Sequence, residues 1–163
     1  ACNPWQFNLD LLPLEYYTNP PQPRFRFDVK IGSEDVGMSG MRLILESYDE
    51  EDYTISTKVG SLEDNRSYTQ IASGRIQSQG PTRYTEFIKF DVALQATAGQ
   101  TISFQIDAPK SLPYRYNDNA INHPNEDFSC PSCGITIKYG QVRTSGGGYF
   151  EGRYPFLGTI EFC

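Results

Sequence analysis

The chain has 163 residues and a formal net charge of −6, which fits one domain with its own core. The negative charge argues against a nucleic-acid-binding protein, because phosphate recognition needs a basic surface. No apolar run approaches the length of a transmembrane helix, so we expect no membrane insertion. With 10 Phe, 11 Tyr, 14 Gly and 11 Pro, the composition is typical of many short strands around a partly aromatic core.

Residues 1–23 are predicted to form an irregular leader that packs on a single β-sandwich domain, residues 24–163. The segment 19–23 reads Asn-Pro-Pro-Gln-Pro. It cannot form a helix or a central strand, because Pro lacks the N–H donor and restricts the residue before it. Trp5 is expected to pack the leader onto the domain.

Eight segments after the leader are predicted to be strands. The clearest is 24–31, in which Phe25, Phe27, Val29 and Ile31 alternate with charged residues and are expected to face the core. The others are 41–48, 53–59, 71–76, 84–94, 101–106, 134–139 and 157–162. Because no helical period persists through three turns, the pattern predicts an all-β fold of two packed antiparallel sheets, a jelly-roll-like β-sandwich.

Alternation within two of these strands predicts which side chains face the core. Val59 is expected on the inner face with Ile55, and Lys58 on the outer face. Val92 is expected to face the core in phase with Phe90.

The four cysteines suggest two disulfides and an oxidising compartment. We expect a Cys2–Cys163 bridge, because the ends of a jelly-roll chain tend to lie close together at the surface. We expect a second, local bridge between Cys130 and Cys133. The alternative for Cys130-Pro131-Ser132-Cys133 is half of a zinc site, which needs two further ligands.

Two other features favour secretion. The sequence begins at Ala1 without Met, as expected after removal of a signal peptide. Asn65-Arg66-Ser67 is a sequon for N-glycosylation at Asn65, within a polar stretch. With the cysteines, these features predict a secreted, extracellular glycoprotein.

Several stretches between residues 25 and 162 together resemble the PHR domain, a β-sandwich module. In chain order they are Gly37-Met38-Ser39-Gly40-Met41-Arg42-Leu43, Asp52-Tyr53-Thr54-Ile55, Phe87-Ile88-Lys89-Phe90-Asp91-Val92-Ala93-Leu94, Ala98-Gly99-Gln100-Thr101-Ile102, Gly146-Gly147-Gly148 and Gly152-Arg153-Tyr154-Pro155. The resemblance implies a jelly-roll-like sandwich that serves interaction and not catalysis. We transfer the architecture from it and no individual functional residue.

The longest predicted irregular segment, 109–129, is the candidate binding loop, because long loops in compact domains are often functional. Its Tyr rings and amides, with a second aromatic group near the C-terminus, suit both protein and glycan recognition. The candidate ligand-binding residues are Tyr114, Arg115, Tyr116, Asn117, Tyr149 and Tyr154. The alternative is that these rings cover the open ends of the sandwich.

Catalysis and metal binding have weak support in the sequence. His123 is the only histidine, and no Gly-x-Ser-x-Gly elbow presents a nucleophile to it, so we expect no enzyme activity. The acidic run with Asp49, Glu50 and Asp52 is a weak alternative for a calcium site. A solvated hairpin tip is the preferred interpretation of that run, and no other metal or cofactor is expected.

The sequence therefore predicts a secreted, non-catalytic binding module whose ligand is a protein or, in second place, a glycan. A structural extracellular protein that assembles with its own copies into a homo-oligomer is the first alternative. A carrier of a hydrophobic small molecule or pigment is the next, given the many aromatic rings, and a hydrolase comes third.

Peptide mapping without reduction tests the two bridges. We expect a Cys2–Cys163 peptide and a Cys130–Cys133 peptide, and loss of the long-range bridge should lower stability by roughly 5 kcal/mol in the loop-entropy model. A Cys2–Cys130 or Cys133–Cys163 peptide would contradict this pairing.

Overall fold

The computed structural model describes residues 4–8, 17–18, 24–45, 51–76, 83–84, 87–108, 114–115, 128–130, 132–138, 140–143, 149–154, 156 and 158–163. The strands are β1 (Trp5–Asn8), β2 (Tyr17–Thr18), β3 (Arg24–Ile31), β4 (Val36–Leu45), β5 (Glu51–Val59), β6 (Thr69–Ile76), β7 (Arg83–Tyr84), β8 (Ile88–Ala96), β9 (Thr101–Asp107), β10 (Tyr114–Arg115), β11 (Phe128–Cys130), β12 (Ile135–Ile137), β13 (Gly140–Arg143), β14 (Tyr149–Tyr154) and β15 (Gly158–Phe162). Each of the eight predicted segments overlaps a strand. The described residues contain no helix that could cross a membrane.

Two antiparallel sheets pack against each other, which confirms the predicted all-β sandwich. The smaller sheet runs β1-β15-β4, and both β7 and β8 pair with the far edge of β4. The larger sheet has β6-β5-β9-β3 as its centre. The outer edge of β3 pairs with β12 along one half and with β13 along the other, and β11 and β14 extend these two branches. Strands β2 and β10 form a separate pair.

The alternation predicted for β3 is confirmed, because all four of its apolar side chains are buried. Phe27 is fully buried and stacks on three other rings. Its ring centroid lies 4.5 Å from that of Phe156, 5.5 Å from that of Phe104 and 5.6 Å from that of Phe25. Phe27 therefore joins β3 and β9 to the chain just before β15, and aromatic burial supplies much of the core.

The prediction that Val92 faces the core is wrong, since its side chain is 71% exposed. The cause is an irregularity in the pairing of β8 with β4. Strand β4 advances two residues, from Met38 to Gly40, while β8 covers five, from Leu94 back to Lys89. The extra residues bulge out of the ladder and break the period of two, as β-bulges do.

The orientation predicted for β5 holds for Ile55, which is fully buried, but not for its last two residues. Val59 is 45% exposed, because its pairing with β6 has already ended at Thr57. Lys58 is only 7% exposed, although it points to the outer face. A polar face expected to be solvated is therefore covered at this point.

The N-terminal leader was expected to be irregular, but its residues 5–8 form β1. Strand β1 pairs with β15, with Trp5 opposite Phe162, and the two rings stack at 4.5 Å. The packing role expected for Trp5 is thus observed. Cys163 is disulfide-bonded, whereas Cys2 lies outside the described residues. The Cys2–Cys163 bridge stays a prediction.

The Cys130–Cys133 disulfide is confirmed, with its Cα atoms 5.4 Å apart. It closes the turn between β11 and β12, where the N–H groups of Cys133 and Gly134 both donate to the carbonyl of Cys130. Because the two sulfurs are bonded to each other, they do not provide the thiolates that the zinc alternative requires.

Replacing Phe27 with Ala is expected to lower the free energy of unfolding by about 3–5 kcal/mol, because it empties the centre of the ring cluster. Val92→Ala is the matched control, and its exposed side chain should change stability by no more than about 0.5 kcal/mol. Urea denaturation of both variants measures the difference. Equal costs for the two substitutions would contradict the burial described here.

Candidate binding site

Strand register places polar residues in three rows across the outer face of the larger sheet, because residues opposite each other in a ladder share a face. In strand order the rows are Gln141-Arg26-Gln105-Ser56-Gln70, then Asp28-Ser103-Lys58, then Arg24-Asp107-Thr54-Ser73. The inner face carries Phe27, Phe104 and Ile55 in the alternate positions. One register therefore sets both the core and a polar outer surface.

The loop of residues 60–68, hereafter the covering loop, lies over part of this polar surface. It begins at Gly60, whose φ of 121° is strained for other residues and whose N–H donates to the carbonyl of Thr101. A Cβ at Gly60 would also collide with the carboxylate of Asp64. Glycine at this position thus lets the chain leave β5 and turn back across the sheet.

Asp28 anchors the covering loop from below. Its carboxylate accepts the N–H of Leu62 at 3.0 and 3.3 Å, and Ser103 also bonds to it. Burial raises the pKa of Asp28 above its ordinary value near 3.8, although these hydrogen bonds and the charges of Lys138 and Lys58 act in the opposite direction. The loop is therefore held by a carboxylate that is costly to ionise in its buried place.

Lys58 holds the same loop through its ammonium group. Its Nζ donates to the carbonyls of Asp64 at 2.9 Å and Arg66 at 3.3 Å, and it lies 3.2 Å from the Asp64 carboxylate. Three oxygens thus match the three N–H donors of the ammonium. The Arg66 N–H bonded to the Asp64 carboxylate, and then Lys58, hold the pKa of Asp64 below its ordinary value. Lys58 is consequently a structural cation.

Tyr68 closes the end of the covering loop against the sheet. Its hydroxyl lies 2.6 Å from Oγ of Ser103. Since Ser103 has one O–H donor and bonds to the Asp28 carboxylate, Tyr68 is the donor in this contact. The Tyr68 ring has the Arg26 guanidinium 5.0 Å and the Lys58 ammonium 4.7 Å from its centroid, both within cation–π range.

Beside the covering loop lies an open cleft of about 390 Å³. Four cationic side chains and one carboxylate, that of Asp64, are among the ten described residues that line it. The principal lining residues are Arg24, Arg26, Lys58, Arg66, Tyr68 and Gln105. Asp107, which accepts Arg24 Nε at 2.7 Å and the Gln105 amide at 3.1 Å, adds a second carboxylate at the edge. In a chain with a net charge of −6, this lining is a local concentration of positive charge.

The structure places the backbone of Tyr114 near the second predicted aromatic group. Strand β10, which holds Tyr114 and Arg115, comes within 8 Å of β14 between Cα atoms. Tyr149 and Tyr154 are the two ends of β14 and pair with β13. The predicted contacts Tyr116 and Asn117 lie outside the described residues. The backbone of β10 thus adjoins β14, which belongs to the β13 branch of the larger sheet.

The other predicted sites are placed in part. Asp52 is exposed on β5 and accepts Nη1 of Arg75 at 3.1 Å, whereas Asp49, Glu50 and His123 lie outside the described residues. Over the part of the chain that the structure describes, no three His, Cys, Asp or Glu side chains gather into a metal-binding group. Asn65, the predicted glycosylation residue, is exposed and lines the cleft.

Sequence reasoning missed the cleft. Arg24 and Arg26 were visible as the polar face of a strand, and the covering loop as a polar connection. The cleft also needs Gln105 and Lys58, which are distant in the sequence from Arg24 and Arg26. They reach the cleft because β9 pairs with both β3 and β5. The sequence signal that could have indicated the cleft is the presence of polar faces on strands that pair with each other.

No match to this chain was found among protein-family models or curated proteins. The interpretation of the cleft therefore depends on the geometry of its own side chains.

The raised pKa of Asp28 predicts a pH effect on stability. Between its ordinary pKa near 3.8 and its raised value, the folded state binds more protons at Asp28 than the unfolded state does. Its contribution to the free energy of unfolding therefore falls as pH rises through this window, and the cost is complete above the raised pKa.

Asp28→Asn removes that titration but keeps an oxygen for the Leu62 N–H. We expect the wild type to lose stability relative to the variant as the pH rises from 3 to 7, measured by urea denaturation. A stability difference between wild type and variant that stays constant with pH, or that changes in the opposite direction, would contradict this. It would show that burial is not the dominant influence on the pKa of Asp28.

Proposed function

We propose that the chain is a secreted, non-catalytic module that binds a glycan on the outer face of the larger sheet. The observation that carries the proposal is the cleft beside the covering loop, together with the row Gln141-Arg26-Gln105-Ser56-Gln70 that crosses five strands. Amide side chains donate and accept hydrogen bonds at once, which suits the hydroxyl groups of sugars.

The chemistry of the lining favours a glycan over a protein partner. The centre of a protein interface is usually apolar and aromatic. In the cleft, by contrast, Leu62 and Tyr68 are the least polar of the described lining residues, and Tyr68 already contacts two cations. The same polarity disfavours the alternative of a hydrophobic small molecule at this place.

The side chains of the cleft are held before any ligand arrives. Arg26 Nε donates to Gln105 at 2.8 Å, Arg24 Nε donates to Asp107, and Arg66 Nη1 donates to the carbonyl of Val59 at 3.1 Å. Binding then orders few additional rotamers, which lowers its entropic cost. Fixed side chains on a rigid sheet are what a recognition surface requires.

The sheet also links the cleft to the predicted aromatic surface. Strand β13 lies between β3 and β14, and β10 adjoins β14. With neighbouring strands about 4.8 Å apart, the span from β5 to β14 is about 19 Å. That distance accommodates several sugar units, and it makes Tyr114 and Tyr116 candidates for one wall of an extended binding surface.

The wider context of the proposal is extracellular recognition. A disulfide and an exposed sequon at Asn65 support secretion and glycosylation. The resemblance to the PHR domain remains a proposal about ancestry, and the two-sheet architecture is compatible with it. An interaction role of that kind agrees with the binding function proposed here.

A glycan array of neutral and acidic oligosaccharides, probed with the disulfide-intact chain, tests the function. We expect saturable binding to a subset of glycans and a loss of about thirtyfold, or 2 kcal/mol, when Tyr114 and Tyr116 are both replaced by Ala. The melting temperature should change little. The reduced chain is the control for nonspecific adsorption.

Two results would contradict the proposal. An array without any saturable signal would remove the glycan function. If the double variant instead loses several kcal/mol of stability while its folded fraction binds normally, the two Tyr rings are core caps and not contacts.

A further inference from the structure

We propose that the cleft beside the covering loop is a subsite for one acidic sugar unit, whose carboxylate or sulfate is bound by Arg26 and Arg66. This inference rests on the proposed glycan-binding function and names the chemical class of the ligand. It follows from the charge, the size and the bonding of the cleft.

The charge of the lining selects an anion. Lys58 is occupied by three oxygens of the covering loop, and Arg24 is paired with Asp107. The lining has two further cations, Arg66 on the covering loop and Arg26 on β3, which is itself hydrogen-bonded to Gln105. These two arginines line the cleft from different elements, the sheet and the covering loop, and are together called the clamp.

Arg66 is the more accessible half of this clamp. Its side chain is exposed, and Nη1 bonds to the carbonyl of Val59. Within the described part of the chain, the other four of its five N–H donors have no hydrogen-bond acceptor. A planar guanidinium fixed at one nitrogen can present the rest to two oxygens of one carboxylate or sulfate.

Arg26 supplies the fixed half. Its Nε is bonded to Gln105 Oε1, and its guanidinium lies over the ring of Tyr68. The plane of the guanidinium is therefore set by two independent contacts. A charge-assisted hydrogen bond to a group held in this way is stronger than one between neutral groups.

The size of the cleft fits a sugar unit better than a bare anion. A volume of about 390 Å³ lies at the lower end of the range for small-ligand sites, about 300–1,000 Å³. Gln105 and Ser67 add neutral polar groups to the lining, next to the arginines. An anion alone would use the guanidinium groups and leave these neutral groups to water.

The experiment is a titration followed by ¹H–¹⁵N NMR of the disulfide-intact chain, without a glycan at Asn65. The probes are a hyaluronan tetrasaccharide, which carries carboxylates, a carrageenan tetrasaccharide, which carries sulfates, and chitotetraose, which is neutral. Sodium sulfate, sodium acetate and a hexaglutamate peptide test a simple anion site and an acidic protein segment.

We expect at least one acidic tetrasaccharide to shift the amide signals of residues 60–68 and the Nε–H signal of Arg26. Arg66→Gln and Arg26→Gln should each weaken its binding at least tenfold. Arg42→Gln is the matched control, because Arg42 is exposed on β4 in the other sheet and changes the net charge equally. It should alter the affinity less than twofold. Arg66→Gln affects only the exposed loop, so it gives a result even if Arg26→Gln disturbs folding.

Several outcomes overturn the inference. Chitotetraose binding in the cleft as tightly as the acidic probes would remove the acidic subsite but leave the glycan function intact. Shifts confined to β10 and β14 would do the same. Sulfate or acetate binding as tightly as the sugars would indicate a simple anion site, and tighter binding of hexaglutamate would indicate a protein ligand. If no oligosaccharide binds here and the array is also empty, the proposed function itself fails.

Discussion

The antiparallel pairing of β3 with β9 aligns seven residue pairs, and both faces of the larger sheet depend on it. On the inner face it sets Phe27 opposite Phe104, and these rings join the aromatic cluster of the core. On the outer face it sets Arg26 opposite Gln105 and Asp28 opposite Ser103. A shift by one residue would exchange the two faces and bury the charges in the core. The core and the polar outer surface therefore share one constraint.

The covering loop shows how buried charge can shape a surface. Asp28 and Lys58 are both nearly buried, on different strands, and each holds a different part of the loop. The Asp28 carboxylate accepts a backbone N–H of the loop, and the Lys58 ammonium donates to backbone carbonyls of the loop. Each charge is therefore satisfied largely by backbone groups and not by the other charge alone. Removing either partner would leave a buried polar group without its bond, which is costly. These charges are best understood as the supports of the cleft.

The cleft and the strands of the predicted aromatic surface lie on two sides of β3. The proposed function uses this arrangement, because an extended ligand would cross the strands. The cleft faces the β9–β5 side, where the covering loop supplies Arg66, whereas β13 and β14 continue the sheet on the other side towards β10. A chain of sugar units crossing the strands would meet cations first and predicted aromatic residues next. The exposed sequon at Asn65 stands at the cationic end.

The sequence alone determined the features that depend on local periodicity or short separation. The alternation in Arg24–Ile31 specified which side chains enter the core, and two cysteines three residues apart could close only a local turn. Tertiary structure decided the rest. Val92 is exposed because β4 and β8 pair out of step, and Lys58 is buried because a loop returns over it. The cleft exists because β9 brings Gln105 between β3 and β5. These outcomes depend on register between distant strands, which the residue pattern of a single strand does not encode.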